Sequence, residues 1–215
     1  MKQIYCISGL AADHRLFSNL HIEGYELVPM IWLPFNEQDT MSTYAARMAA
    51  SISAPEPVII GLSFGGMLAT EIGKQYPAWK IFIVSSAKTT TELGYDSGLL
   101  RWLSRTGIVP ARLFNIPNPV VLYLLGAKTQ AERRLLTDII KDSDPFFMKW
   151  CINALLHWNN SVYPQHLIHI HGTKDKVIRS SGTHPHHWIE GGTHIMIYNR
   201  GAEIGALILN HLLHN

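Results

Sequence analysis

The chain has 215 residues, of which 47% are hydrophobic and 16% charged, and its formal net charge is +2. That length and apolar content suit one domain with a sizeable buried core and exclude a disordered or low-complexity chain. The small net charge gives no footing for nucleic acid or an anionic membrane as partner, and the two cysteines, Cys6 and Cys151, make no disulfide framework, which fits a reducing compartment.

The elements follow from hydrophobic period. Lys2 and the apolar Ile4-Tyr5-Cys6-Ile7 look faintly like a signal peptide, but Ser8-Gly9 interrupts the run, so residues 3–7 read as a first strand. Residues 16–20 form a short helical pattern, residues 26–31 a second strand, and Thr40 is a start signal for a helix over 41–52. Residues 57–60 read as a third strand, 64–76 as a helix that stops before Pro77, and 80–85 as a fourth strand. Residues 89–164 then break the alternation: they contain no strand pattern, and 99–103, 120–125, 131–140 and 146–156 read as helices. This insertion carries Trp102, Phe114, Tyr123, Phe146, Phe147, Trp150 and Trp158. It reads as a helical subdomain with its own small core or as a lid lining a pocket, and the two readings are compatible. The core, residues 1–88 and 165–215, resumes with strands at 167–171 and, more weakly, 187–189, then a final helix at 202–213. The fold class expected is α/β, a mostly parallel sheet of about six strands with helices on both faces. No window holds the roughly 18 uninterrupted apolar residues a membrane span needs, and the expected location is the cytoplasm.

In "VIIGLSFGG", a serine stands between two glycines where a β-branched run turns into a helix. A sharp strand-to-helix turn puts the serine backbone at positive φ, and side chains two residues either side would collide, so Gly61 and Gly65 are required there. The strain holds the Ser63 hydroxyl out at the tip of the sheet, and the free N–H groups of the following helix point at the same spot. The bland reading is a glycine-rich turn with a capping serine.

A serine hydroxyl needs a base to act as nucleophile. Of twelve histidines, His21, His157, His211 and His214 fall at surface or helix positions, and His166, His169 and His171 belong to the strand in "HLIHIHGTKD". "HPHH" at 184–187 suggests metal but has no partner motif, so no metal is expected. His194, in "EGGTHIMIYNR", lies after the last strand and before the final helix, at the same carboxyl edge as Ser63. The base in turn needs an acid to fix its tautomer. Asp175 follows the strand at 167–171 at that edge; its bland reading is a turn aspartate capping a helix. Asp96, Asp138, Asp142 and Asp144 look like solvated faces and caps, and Asp13 like the N-cap of the short helix after it.

The order Ser63, Asp175, His194 resembles the α/β-hydrolase family, whose nucleophile, acid and base follow one another in that sequence. "GLSFGG" resembles its nucleophile elbow, "HGTKDKVI" its acid loop and "GGTHIMI" its histidine loop, and the likeness covers nearly the whole chain, with the insertion where the family often carries a cap. The resemblance implies an oxyanion hole from the backbone N–H groups of Leu10 and Phe64, with Leu10 open to a shift of one residue. Two departures stand out. The chain starts directly on the strand that leads to the oxyanion loop, which implies a trimmed sheet, and that loop reads "SGLAADHRLF", with Ser8 where His is common.

The implied function is a serine hydrolase acting on a small or medium, mainly apolar ester or thioester, with a small-molecule substrate as its partner and no cofactor or metal. Other readings are a lyase or carbon–carbon bond hydrolase on the same three residues, or a binding protein that has kept the scaffold without turnover. Substrate identity and oligomeric state are left open.

Overall fold

The computed structural model describes residues 2–93, 110–111 and 115–214. Six strands form one sheet in the order β2-β1-β3-β4-β5-β6, every adjacent pair parallel. They are β1 (Lys2–Ile7), β2 (Tyr25–Pro29), β3 (Val58–Leu62), β4 (Lys80–Val84), β5 (Leu167–Gly172) and β6 (His187–Ile189). The helices are α1 (Met41–Ala49), α2 (Phe64–Gln75), α3 (Pro119–Leu125), α4 (Gln130–Asp142), α5 (Pro145–Leu156), α6 (Met196–Asn199) and α7 (Gly201–His214). The short helical pattern near residue 16 is a 3-10 turn, His14–Phe17, with Asp13 as its N-cap. The helix expected at residues 99–103 and Asp96 lie outside the described residues.

Strand alternation divides the core in two. Tyr5, Ile7, Ile59, Ile81 and Ile83 point to one face, where they meet α1, α2 and Trp150, Cys151 and Ala154 of α5. Ile4, Cys6, Ile60, Leu62, Phe82 and Val84 point to the other, against Leu136 and Ile139 of α4, the α6 turn and Ile204 and Ile208 of α7. Helices from the segment between β4 and β5 therefore complete both sheet cores. A hydrogen-bonded neck ties that segment's two ends together. Thr90 N–H donates to Asn160 O at 2.8 Å, and Asn160 Nδ2 donates to Lys88 O at 2.8 Å.

Two strand ends differ from the sequence pattern by two residues, and several others by one. β3 runs on through Gly61 and Leu62, because Gly61 pairs with Ile7 on one side and Ile83 on the other. β2 ends at Pro29, its last residue paired to β1, and Ile31 is 85% exposed. β3, β5 and β6 all end at the same carboxyl edge, which puts their following loops side by side.

Candidate active site

Ser63 is the residue between β3 and α2. Its φ of 51° and ψ of −120° lie in a region that costs a non-glycine residue about 1–3 kcal/mol. The surroundings enforce it. Ser63 N–H donates to Val84 O at 3.0 Å, and Ser86 Oγ donates to Ser63 O at 2.7 Å. A Cβ on Gly61 would run into the Gly65 backbone, one on Gly65 into the carbonyls of Ile7 and Ser8, and one on Gly66 into Ser86. Three chain segments close on this turn, and glycine is the residue that lets them do so.

The loops after β5 and β6 bring the other two side chains to it. His194 Nε2 lies 2.9 Å from Ser63 Oγ, and His194 Nδ1 lies 2.8 Å from Asp175 Oδ2. A carboxylate only accepts, so Nδ1–H is the donor and Nε2 is left with the lone pair that faces the serine hydroxyl. Asp175 Oδ1 accepts from Val177 N–H at 2.9 Å and Ile178 N–H at 3.0 Å. The capping role and the contact to His194 thus coexist on two oxygens of one carboxylate. Burial alone would push the Asp175 carboxyl up; the charge and hydrogen bond of His194, with His171 and the Ile178 N–H, outweigh it and hold Asp175 below the ordinary aspartate range. His194 and Asp175 are buried, each 5% exposed, while Ser63 is open enough to meet a substrate.

Searches of protein-family models and of curated proteins find no match to the sequence. Solved structures do match in shape. A lipase-esterase related protein from Clostridium acetobutylicum superposes with a TM-score of 0.69 at 14% identity, over 97% of this chain and 93% of that one. A bromoperoxidase from Bacillus anthracis gives 0.71 at 14% identity, over 98% and 91%. A meta-cleavage product hydrolase from Pseudomonas fluorescens gives 0.62 at 16% identity, over 98% and 90%. The chain has the α/β-hydrolase fold.

The loop after β1 faces Ser63. Its Gly9 packs so closely that an added Cβ would sit 3.1 Å from Ser63 Cβ. Ser8, which stands where the family often has His, turns the loop: its Oγ donates to Ala12 O at 2.9 Å. Ala12 N–H donates to Gly9 O at 3.2 Å, and Ala11 between them has a φ of 51°. Leu10, Ala11, Ser63 and Phe64 all line one cavity of about 620 Å³.

The rest of that cavity is apolar. Val121, Leu124 and Leu125 of α3, Ile140 of α4, Met148 and Leu155 of α5, and Val177 and Ile178 of the acid loop supply its walls, and Asn118 is the one other polar residue of its described lining. Helix α3 is docked at two points onto the loops that carry Asp175 and His194. Its C-cap, Gly126 (φ 88°), lies so close to Thr193 that a Cβ would overlap that side chain, and Lys176 Nζ stands 3.4 Å from the Tyr123 ring centroid.

Among the described residues, no group of three or more His, Cys, Asp or Glu side chains is arranged to hold a metal, and no helix is long and apolar enough to cross a membrane. Both cysteines are buried, and burial pushes the Cys6 thiol up to about 12, so neither competes as a nucleophile. Asp144 caps α5 through Phe146 N–H, and Asp142 pairs with Arg15, both away from Ser63. Ser86 is a positioning residue that sequence reading missed. Its contact to Ser63 O spans 23 positions and has no local signature.

Proposed function

We propose that the protein is a serine hydrolase that cleaves a small or medium, mainly apolar ester or thioester through an acyl-enzyme on Ser63. The observation that carries this reading is the hydrogen-bonded series Ser63–His194–Asp175 at the mouth of the apolar cavity. The cavity volume falls within the roughly 300–1,000 Å³ usual for small-molecule sites, and a lining with so few polar groups suits an acyl chain better than a charged one.

In the reaction, Ser63 Oγ attacks the substrate carbonyl carbon as His194 Nε2 takes the hydroxyl proton. Asp175 keeps His194 in the Nδ1–H tautomer and stabilises the imidazolium. The carbonyl oxygen becomes an oxyanion and is held by Phe64 N–H, at the start of α2, and by Leu10 N–H; one such donor is worth about 3 kcal/mol in the transition state. The carbon–oxygen or carbon–sulfur bond to the leaving group breaks, and His194 returns its proton to the departing alcohol or thiol. A water then attacks the acyl-enzyme, giving its proton to His194. Collapse frees the acid and restores the Ser63 hydroxyl. The segment over residues 89–164 acts as the cap that supplies the acyl-side walls.

A carbon–carbon bond hydrolase is the second reading, because a meta-cleavage product hydrolase shares the fold. Cleavage of that kind must deliver a proton to a leaving carbon; the described lining contains no acidic or basic side chain, which leaves the His194 imidazolium, reached through Ser63, as the source. The test is hydrolysis of a short p-nitrophenyl ester by the wild-type protein and by Ser63→Ala. The expected result is turnover by the first and background release by the second, with unchanged circular dichroism. Full activity in Ser63→Ala contradicts the assignment.

A further inference from the structure

Behind Asp175 lies a buried polar chain that the chemistry above does not use. His169 and His171 are two residues apart on β5, so their side chains leave the same face of the sheet, and both are 0% exposed. His171 Nε2 lies 3.0 Å from Ile178 O. A carbonyl only accepts, so His171 carries its proton on Nε2. Its Nδ1 is then an acceptor, and His169 Nε2, 3.2 Å away, must be the donor to it. His169 Nδ1 makes no close hydrogen bond among the described residues; Glu92 Oε2 lies 3.9 Å from it and the Ser86 backbone also approaches the ring. One backbone carbonyl thereby fixes the tautomers of two imidazoles in series.

The same His171 Nε2 stands 3.7 Å from Asp175 Oδ2, the oxygen that accepts from His194. Asp175 thus has an imidazole on each side of Oδ2. Other charges approach the pair from several elements. Lys88 and Glu92 come from the segment after β4 and His186 from the loop before β6, its Nδ1 accepting from the His169 backbone N–H at 3.0 Å. Trp188 of β6 presents a ring at 90° to His171. Burial holds both imidazoles toward the neutral form; around His169 the neighbouring His171, Lys88 and His186 add to it, and around His171 the pull of Asp175 does not overcome it.

We propose that His171 is a positioning residue for the acid of the triad: an imidazole locked in its Nε2–H tautomer by His169 and Ile178 O holds the positive end of a fixed dipole 3.7 Å from Asp175 Oδ2. The dipole favours the ionised carboxylate and its orientation toward His194. A full positive charge in its place would oppose the imidazolium that His194 forms as Ser63 attacks. His169 serves as the tautomer lock. This proposal rests on the hydrolase reading of Ser63, His194 and Asp175.

Two kinds of experiment test it, one of them independent of turnover. In wild-type protein labelled with ¹⁵N-histidine, His169 and His171 are expected to be neutral Nε2–H tautomers at neutral pH. A charged imidazole or an Nδ1–H tautomer at His171 overturns the proposal, whether or not an ester is hydrolysed. In kinetics with a p-nitrophenyl ester, His171→Phe keeps a ring but loses the donor. It is expected to lower kcat/KM by about tenfold, the scale on which outer hydrogen-bond partners act at metal-bound histidines. It is also expected to move the acid limb of the rate profile to higher pH, because an unshielded Asp175 holds the His194 imidazolium more strongly. His171→Gln, which can carry an N–H near the Nε2 position, is expected to restore the limb. An acid limb in folded His171→Phe that coincides with wild type overturns the proposal. If His171→Phe does not fold, His171→Gln and the wild-type spectra still decide it. Absence of any ester turnover in wild type counts against the hydrolase reading alone.

Discussion

Around Ser63 the chain is fixed by backbone against backbone: Gly61 against Gly65, Gly65 against Ile7 and Ser8, Ser63 N–H on Val84 O. Helix α3, a few residues of cavity wall away, is the opposite case. It buries none of its side chains, and Val120 and Tyr123 are more than 60% exposed. The rim has almost no freedom to vary without losing its geometry. The wall of α3 is held at its end by Gly126 on Thr193 and by Lys176 over Tyr123, and its side chains can change with little cost to the fold. On the proposed reading, chemistry belongs to the rigid part and substrate fit to the adaptable one.

That contrast can be broken most severely at Asp175. Asp175→Asn keeps shape but places an amide where His194 Nδ1–H needs a carboxylate, so kcat is expected to fall by about 10⁴-fold with a folded protein, as for triad aspartates generally; steady-state kinetics on a p-nitrophenyl ester measures it, and a loss of less than tenfold would contradict the role. Next is Gly65→Ala. Its methyl would enter the Ile7 and Ser8 carbonyls, so a stability loss of about 3 kcal/mol or more and loss of activity are expected in urea unfolding and ester assays. The reverse change at the elbow sharpens the point. Ser63→Gly relieves the positive φ and is expected to gain about 1 kcal/mol of stability while activity disappears. Smallest is Leu124→Trp in the α3 wall: unfolding should be nearly unchanged, and the preferred acyl chain should shorten, read as a shift in kcat/KM across a series of p-nitrophenyl esters.

The buried histidines add a pH dependence that belongs to the rigid part alone. Their native titration lies below the ordinary 6.5, well below it for His169, first because burial disfavours the charged form. As pH falls through about 6.5 the unfolded chain takes up protons that the native state refuses, so stability declines from there until the native imidazoles themselves protonate. The depressed Asp175 works in a lower window. Its contribution is present above the unfolded aspartate value of about 3.9 and is lost as pH falls through the lower native one. Thermal unfolding at pH 8 and pH 5 should show the first decline, and His169→Phe should lessen it.

The candidate trio was legible because each member sits in a short local pattern: Gly61-x-Ser63-x-Gly65, Gly172 to Asp175, and Gly191 to His194. The six strands were legible as apolar runs, although the third reads as ending at residue 60 with Gly61 given to the turn, where two neighbouring strands in fact hold it in the ladder. Contacts between distant positions left no trace in the sequence. Ser86 on Ser63 O, Trp158 Nε1 on the buried Glu71 and the Arg15–Asp142 pair depend on the fold to bring their partners together. His169 and His171 were visible only as strand residues. Their hydrogen bond to each other follows from strand alternation, and the approach of His171 to Asp175 from the loop after β5 that carries Ile178 back to His171.

The most direct measurement is covalent labelling with a fluorophosphonate, followed by intact mass and peptide mapping. A hydroxyl primed by His194 at 2.9 Å should take up one phosphonyl group per chain, mapped to Ser63, with Ser63→Ala unlabelled and His194→Ala labelled far more slowly. Wild-type protein that stays unlabelled at pH 8, or labels equally after Ser63→Ala, would contradict the account.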